Sequence, residues 1–188
     1  MIEKHTNTTE WDTVIESEHS LFDINFKELW HYRDLLVLFV KRDFVTVYKQ
    51  TILGPLWFFI QPLLTTITFT VIFGNVAQLS TDGAPKVIFY MAGITLWNYF
   101  SNCLTSVSGV FNANAGIFGK VYFPRLIMPL TIVVSNLMKF GVQFLLFICF
   151  IIYFTLNHQI APNSWILLTP FIILLMALIS MGIGLILS

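Results

Sequence analysis

The chain has 188 residues, of which 56% are hydrophobic, and its ten Lys and Arg balance its ten Asp and Glu. Fifteen of these charged residues lie in positions 1–49, which leaves long uncharged runs at 50–81, 87–119 and 140–188. A soluble domain needs more polar surface than this, and a net charge of zero gives no general attraction to nucleic acid. Because each run is continuous and exceeds the about 20 residues that a membrane-spanning helix needs, the sequence predicts an all-α integral membrane protein.

The N-terminal region divides into a polar cytoplasmic tail, residues 1–24, and a predicted amphipathic interface helix, residues 25–50, that contains no Pro or Gly. Its apolar side carries Leu29, Tyr32, Leu36, Phe39, Val40, Phe44 and Val47. Such a helix either covers a soluble domain or lies in the plane of the membrane interface. The second interpretation is favoured, because no soluble core is expected nearby for the helix to cover.

Residues 51–188 form the predicted transmembrane domain, which begins at the helix-breaking pair Gly54 and Pro55. Four spans are predicted, at about 56–76, 87–110, 127–156 and 165–187. Basic residues concentrate before the first span and in the loop 111–126, and short cytoplasmic loops are rich in Lys and Arg. The N-terminus and that loop are therefore predicted to be cytoplasmic, and residues 77–86 and 157–164 are predicted to lie outside.

Catalytic and metal-binding residues are not predicted. The four His residues are scattered without metal-ligand spacing, and no carboxylate falls within a span. The segment from Gly116 to Lys120 faintly resembles a phosphate-binding loop, but it lacks the first Gly and the Ser or Thr after Lys. Lys139, the one charge inside a predicted span, has two interpretations: its ammonium group snorkels to the cytoplasmic headgroups, or it contacts a substrate.

Two polar stripes follow helical spacing on the first two predicted spans. The first consists of Trp57, Gln61, Thr65 and Thr68, and the second of Tyr90, Trp97, Ser101 and Thr105. Spacings of three and four residues place such side chains on one face of a helix. The stripes could bind neighbouring helices together in lipid, or they could line a pathway for a polar solute whose sugar rings stack on the aromatic side chains. The sequence leaves both interpretations open.

Two segments resemble a known family. Residues 48–57, YKQTILGPLW, followed by QPL at 61–63, are similar to the junction between interface helix and first span in type-2 ABC exporter permeases. Residues 120–130, KVYFPRLIMPL, resemble the cytoplasmic segment between spans two and three of the same family, and Arg33-Asp34-Leu35 also fits. The similarity is greatest to the subgroup that exports O-antigen, capsule and teichoic acid.

This resemblance implies a permease subunit in the cytoplasmic (inner) membrane, which carries a lipid-linked polysaccharide outward through a channel between two copies. The family has six spans, so a chain with four is expected to be truncated at its C-terminus. A separate ABC ATPase subunit would bind ATP and Mg²⁺, and this chain would need no cofactor and would not be an enzyme. Alternatives are a type-2 ABC exporter of small molecules or drugs and, from another class, a membrane enzyme or assembly subunit.

The resemblance also assigns roles to residues. The interface helix would lie on the ATPase through Arg33, Asp34, Lys41, Arg42, Tyr48 and Lys49. The segment that couples the permease to ATP hydrolysis would contain Asn112, Asn114, Gly116, Gly119 and Lys120. The two polar stripes would then face the channel, as weak contacts along the path of the glycan.

Overall fold

The computed structural model describes residues 26–50, 56–118, 123–158, 160 and 167–188, and these residues form helices joined by short connections. The helices are α1 (Phe26–His31), α2 (Arg33–Gln50), α3 (Trp57–Phe69) with a π-helical continuation (Thr70–Val76), α4 (Lys86–Ser108), α5 (Val110–Phe118), α6 (Ile127–Leu156) and α7 (Thr169–Leu187). The prediction of an all-α membrane protein is confirmed. The predicted tail 1–24 and the Gly54-Pro55 break lie outside the described residues.

Three helical stretches of the described residues are long and apolar enough to cross a membrane: Phe59–Val76, Ile127–Leu156 and Thr169–Leu187. The second predicted span, 87–110, is not among these stretches; it corresponds to α4, which has 23 residues but carries Asn and Ser side chains that lower its hydropathy. Helix α4 instead makes contacts with α3, α6 and α7, although Asn102 and Ser106 remain exposed on its surface. The count of four spans therefore remains a prediction.

The apolar side of α1 and α2 packs against the protein. Leu29, Leu36 and Phe39 contact a buried cluster that α5 and the start of α6 provide, and its members are Val110, Phe123, Ile127 and Met128. A packed cluster therefore does lie beside this helix, and the position of the helix in the plane of the membrane interface stays a prediction. Burial of this side in protein leaves a different face, with Trp30, Val37 and Leu38, exposed to the surroundings.

The first span ends in a π-helix held to the start of α4. The backbone N–H of Ala77 donates to the carbonyl of Ile72, five residues earlier, at 2.8 Å. The Lys86 ammonium donates to the carbonyl of Gly74 at 2.6 Å and to Oδ1 of Asn75 at 3.2 Å. A cation at a helix C-terminus satisfies carbonyls that have no partner in their own helix and interacts favourably with the helix dipole.

The following loop contains the predicted turn, with a φ of 50° at Asp82 and 84° at Gly83. A side chain at Gly83 would be strained in this left-handed conformation.

Helix α4 lies at the centre of the bundle, and its contact with α7 is close. A β-carbon built on Gly184 of α7 would lie 2.8 Å from both Cβ and Cγ1 of Val107. Ser180, one turn earlier, is fully buried, and Cys103 of α4 is buried against Tyr99 and Phe140. Small residues four apart allow helix backbones to approach closely, which is how apolar helices associate in lipid.

The predicted loop 111–126 is wrong in its first half, because α5 occupies Val110–Phe118. Gly109 separates α5 from α4, so α4 ends at Ser108, two residues before the end of the second predicted span at about 110. Rings link α5 to the interface helix: Phe118 lies 5.3 Å from Phe123, and Phe123 lies 6.1 Å from Phe39, between ring centroids. Helix α5 is thereby fixed to α2 by aromatic packing.

Candidate functional site

An open groove of about 480 Å³ lies between the first span and α4. We call it the aromatic groove, and its lining residues are Thr65, Phe69, Phe73, Phe89, Tyr90, Gly93, Ile94, Trp97 and Asn98. Phe73 bridges the two helices, with its ring centroid 5.2 Å from that of Phe69 and 6.4 Å from that of Tyr90. Trp97 is 65% exposed, so its indole ring is free to contact a molecule outside this chain.

The structure brings together part of the two predicted pathway stripes. Thr65, Tyr90 and Trp97 line the aromatic groove. Trp57, Gln61, Thr68 and Thr105 are exposed elsewhere on the same helices, and Ser101 is half-buried. A single chain therefore leaves most of both stripes uncovered.

The threonine hydroxyls of the stripes bond within their own helices, whereas the Tyr90 hydroxyl is buried without a partner among the described residues. Thr65 donates to the carbonyl of Gln61 at 2.9 Å, Thr68 to that of Leu64 at 2.8 Å, and Thr105 to that of Ser101 at 2.8 Å. A hydroxyl that donates to the carbonyl four residues earlier has no unsatisfied proton, so its exposure to lipid costs little. The described residues do not show these hydroxyls bridging neighbouring helices, and neither interpretation of the stripes is decided.

The predicted coupling segment falls on α5. Asn112 and Gly116 are exposed, and Asn114 donates to the carbonyl of Val110 at 2.8 Å. Gly119 and Lys120 lie outside the described residues. The outer face of α5 therefore consists of small and amide side chains, whereas Phe111 and Phe118 on the inner face pack on the interface helix cluster.

The predicted interface residues are mostly exposed. Arg33 pairs with Asp34 at 3.7 Å, and its guanidinium lies 5.7 Å from the centroid of the Trp30 ring. Lys41 is exposed, and Arg42 donates to Oδ1 of Asp43 from both Nε and Nη2, at 3.0 and 2.8 Å. Tyr48 and Lys49 lie in α2, but their side chains are outside the described part of the structure.

A second group of polar residues, apart from Lys139, was missed by the sequence interpretation. Helices α4 and α6 meet along the polar seam, which consists of Asn98, Asn102 and Ser106 from α4 and of Ser135, Asn136, Lys139 and Gln143 from α6. A regular spacing of four residues from Asn98 to Ser106 marks one face of α4, next to the stripe that contains Trp97. That spacing is visible in the sequence and could have identified the α4 half of the seam.

At one end of the seam, α2 borders an open pocket of about 350 Å³ that we call the polar pocket. Its lining residues are Arg42, Asp43, Thr46, Ser106, Ile132, Ser135, Asn136 and Lys139. Ser135 and Asn136 are 4% and 6% exposed, and the Ser135 hydroxyl has no hydrogen-bond partner among the described residues. The Lys139 ammonium donates a long hydrogen bond of 3.4 Å to Oδ1 of Asn136.

These features define a class of protein: a multi-pass helical membrane subunit with a polar seam, an aromatic groove and an amphipathic helix packed at one end. The family profile of ABC-2 type transporters matches residues 34–188, and the chain belongs to that family. The resemblance drawn from residues 48–57 and 120–130 is thus confirmed.

The relatives have more specific names. Two proteins of Klebsiella pneumoniae, each named O-antigen export system permease protein RfbA, are 32% and 33% identical to this chain over 156 residues. A protein of the same name from Myxococcus xanthus is 30% identical over 114 residues, which are 61% of this chain and 43% of that relative. The Klebsiella matches cover 82% of this chain but 58% of each relative, so the chain spans little more than half of their length.

Proposed function

We propose that this chain is the permease subunit of an ATP-driven exporter that moves a lipid-linked polysaccharide of the O-antigen, capsule or teichoic acid type across the cytoplasmic membrane. The observation that carries the proposal is membership of the ABC-2 family together with relatives named as O-antigen export permeases. The family implies an ABC ATPase as partner. Energy would come from that subunit, and this chain would supply the conduit.

The contact with the ATPase is proposed at α5 and the interface helix, on the cytoplasmic side. Helix α5 exposes Asn112 and Gly116, which leave room for close approach of another protein. Its inner face is fixed to α2 through Phe118, Phe123 and Phe39. A push on α5 would therefore be transmitted both to α4, which precedes it, and to α2, because closely packed side chains move together.

The conduit is proposed between two copies of the permease. The exposed parts of the two polar stripes would face it, with Trp97 and Tyr90 as stacking surfaces for sugar rings. A glycan has polar rims and apolar faces, so hydroxyl groups beside aromatic rings can hold it weakly at many positions. Weak binding at several sites is what conduction requires.

The test is the fate of the polysaccharide after the gene is deleted in the host cell. We expect surface polysaccharide to disappear, lipid-linked polysaccharide to accumulate inside, and a plasmid copy of the gene to restore both. Gel analysis of surface glycan and chromatography of extracted lipid-linked glycan provide the measurement. Unchanged surface polysaccharide would refute the proposal, and a simultaneous gain in sensitivity to small toxic compounds would favour a small-molecule exporter.

A further inference from the structure

The polar pocket carries more positive than negative charge. Arg42 and Lys139 contribute two cations, and Asp43 contributes one carboxylate. Nε and Nη2 of Arg42 both donate to Oδ1 of Asp43, and this carboxylate is therefore already paired. Lys139 makes no ion pair within the described ranges, and its half-buried ammonium group is left as an uncompensated charge.

The pocket also contains a hydrogen-bond donor without a partner among the described residues. The Ser135 hydroxyl is buried and unpaired, which is costly unless a ligand accepts its hydrogen bond. The Asn136 side chain is already engaged, because it hydrogen-bonds the Cys103 thiol and its Oδ1 accepts the long bond from Lys139. The Ser135 hydroxyl and the ammonium group of Lys139, one turn further along α6, can together bind an anion with several acceptor oxygens.

The depth of the pocket in the membrane follows from the length of α6. A helix of 30 residues is about 45 Å long, whereas the hydrocarbon core is about 30 Å thick. The first turn of α6, at Ile127 and Met128, is covered by α2 and α5 rather than by lipid. The excess, about ten residues, therefore lies at this end and places Ser135 at the level of the headgroups. Lys139 lies one turn further along α6, and its long side chain can extend its ammonium group back to that level.

We propose that the polar pocket binds the phosphate of a lipid headgroup, through the Lys139 ammonium and the Ser135 hydroxyl. Its volume of about 350 Å³ falls within the range of about 300–1,000 Å³ usual for ligand sites. The exposed side chains of Arg42, Thr46 and Ser106 leave it open at the surface, so that a headgroup enters from the adjacent leaflet. The bound phosphate lies where α6 faces α2, and the proposal holds for whichever phosphate lipid provides it.

The experiment measures lipid binding to the purified full-length protein in detergent by native mass spectrometry. The probes are phosphatidylglycerol, a polyprenyl phosphate, inorganic phosphate and diacylglycerol, which lacks phosphate. We expect the phosphate-bearing lipids to bind and diacylglycerol not to bind. Lys139→Met should lower the affinity for the phosphate-bearing lipids about tenfold or more, because a charge-assisted hydrogen bond is lost. Similar affinity for both phosphate lipids would indicate a general headgroup site. Much tighter binding of polyprenyl phosphate than of phosphatidylglycerol would indicate that the headgroup comes from the lipid carrier of the glycan.

Three variants separate this site from general effects of charge and folding. Lys41→Met removes an exposed lysine of α2 that does not line the pocket, and it should leave binding within about twofold of the unchanged protein. Lys139→Arg should keep binding because it keeps the charge, and Ser135→Ala should weaken binding a few-fold. Equal losses in Lys139→Met and Lys41→Met, or binding of diacylglycerol as tight as that of phosphatidylglycerol, would overturn the proposal. So would binding of inorganic phosphate with no binding of either phosphate lipid.

Discussion

The contact between α4 and α7 provides a quantitative prediction. Gly184→Ala adds a β-carbon 2.8 Å from Cβ and Cγ1 of Val107 and 3.3 Å from the carbonyl oxygen of Leu104. Carbon atoms prefer separations of about 3.5–4.0 Å, so α7 would have to move away by about 1 Å. Overpacking of this kind costs about 1–3 kcal/mol of unfolding free energy.

A second glycine of the same helix provides the matched control. Gly182 is exposed, and a β-carbon there meets no atom within 4 Å. Both substitutions gain about 1 kcal/mol from the higher helix propensity of Ala. The difference between the two variants therefore isolates the overpacking, and Gly184→Ala should be less stable than Gly182→Ala by about 1–3 kcal/mol.

Denaturant unfolding in detergent micelles, followed by circular dichroism, measures this difference. Val107→Gly removes the two Val107 atoms that the new β-carbon would meet. Val107→Gly should therefore lower the free energy of unfolding less in the Gly184→Ala variant than in the unchanged protein. The reasoning would be refuted if Gly184→Ala were as stable as Gly182→Ala, or if the effects of the two substitutions were simply additive.

Three further predictions concern orientation, coupling and transport. In a cysteine-free background, an impermeant reagent applied to intact cells should label Ser80→Cys and not Asn112→Cys, and the reverse pattern would contradict the predicted orientation. Ala115→Asp, on the exposed face of α5, should lower export about tenfold or more at equal membrane levels because a carboxylate is costly to desolvate in an interface, whereas Ala115→Ser should export normally. Trp97→Ala should lower export of long glycans several-fold without loss of protein, whereas Tyr153→Ala, which removes an equally exposed ring on α6, should leave export unchanged. Loss of protein in Trp97→Ala, with normal export by the remainder, would instead assign Trp97 to packing.

Hydropathy predicted the helices well where apolar runs are bounded by polar or helix-breaking residues. Helix α6 covers Ile127–Leu156, the same residues as the predicted third span. Helix α5 was missed because Asn112, Gly116 and their neighbours have the composition of a loop, and its fold depends on the rings of Phe111 and Phe118 that pack on the interface helix. Tertiary packing here overrides weak local propensity.

The polar pocket could be predicted only in part. A spacing of four residues identifies Asn102 and Ser106 as one face of α4, but it does not say which helix that face meets. The pairing with Ser135 and Lys139 of α6 depends on how the helices pack, which one sequence does not encode in a periodic pattern. The π-helix after Phe69 could not be predicted either, because hydrophobicity does not determine which carbonyl accepts the hydrogen bond of each N–H.

The polarity of α4 has a consequence for how the protein is made. Among the described residues, α4 is a long central helix that falls outside the stretches apolar enough to cross a membrane on their own, because Asn98 and Asn102 interrupt it. Helix α6, which meets the face with Asn98 and Asn102, and helix α7, which packs against Val107, both follow α4 in the chain and leave the ribosome later. As the second predicted span, α4 is therefore expected to enter the membrane stably only after α6 has been translated. A pause in translation between Ser108 and Ile127 should then leave α4 exposed to proteases that remove misassembled membrane proteins.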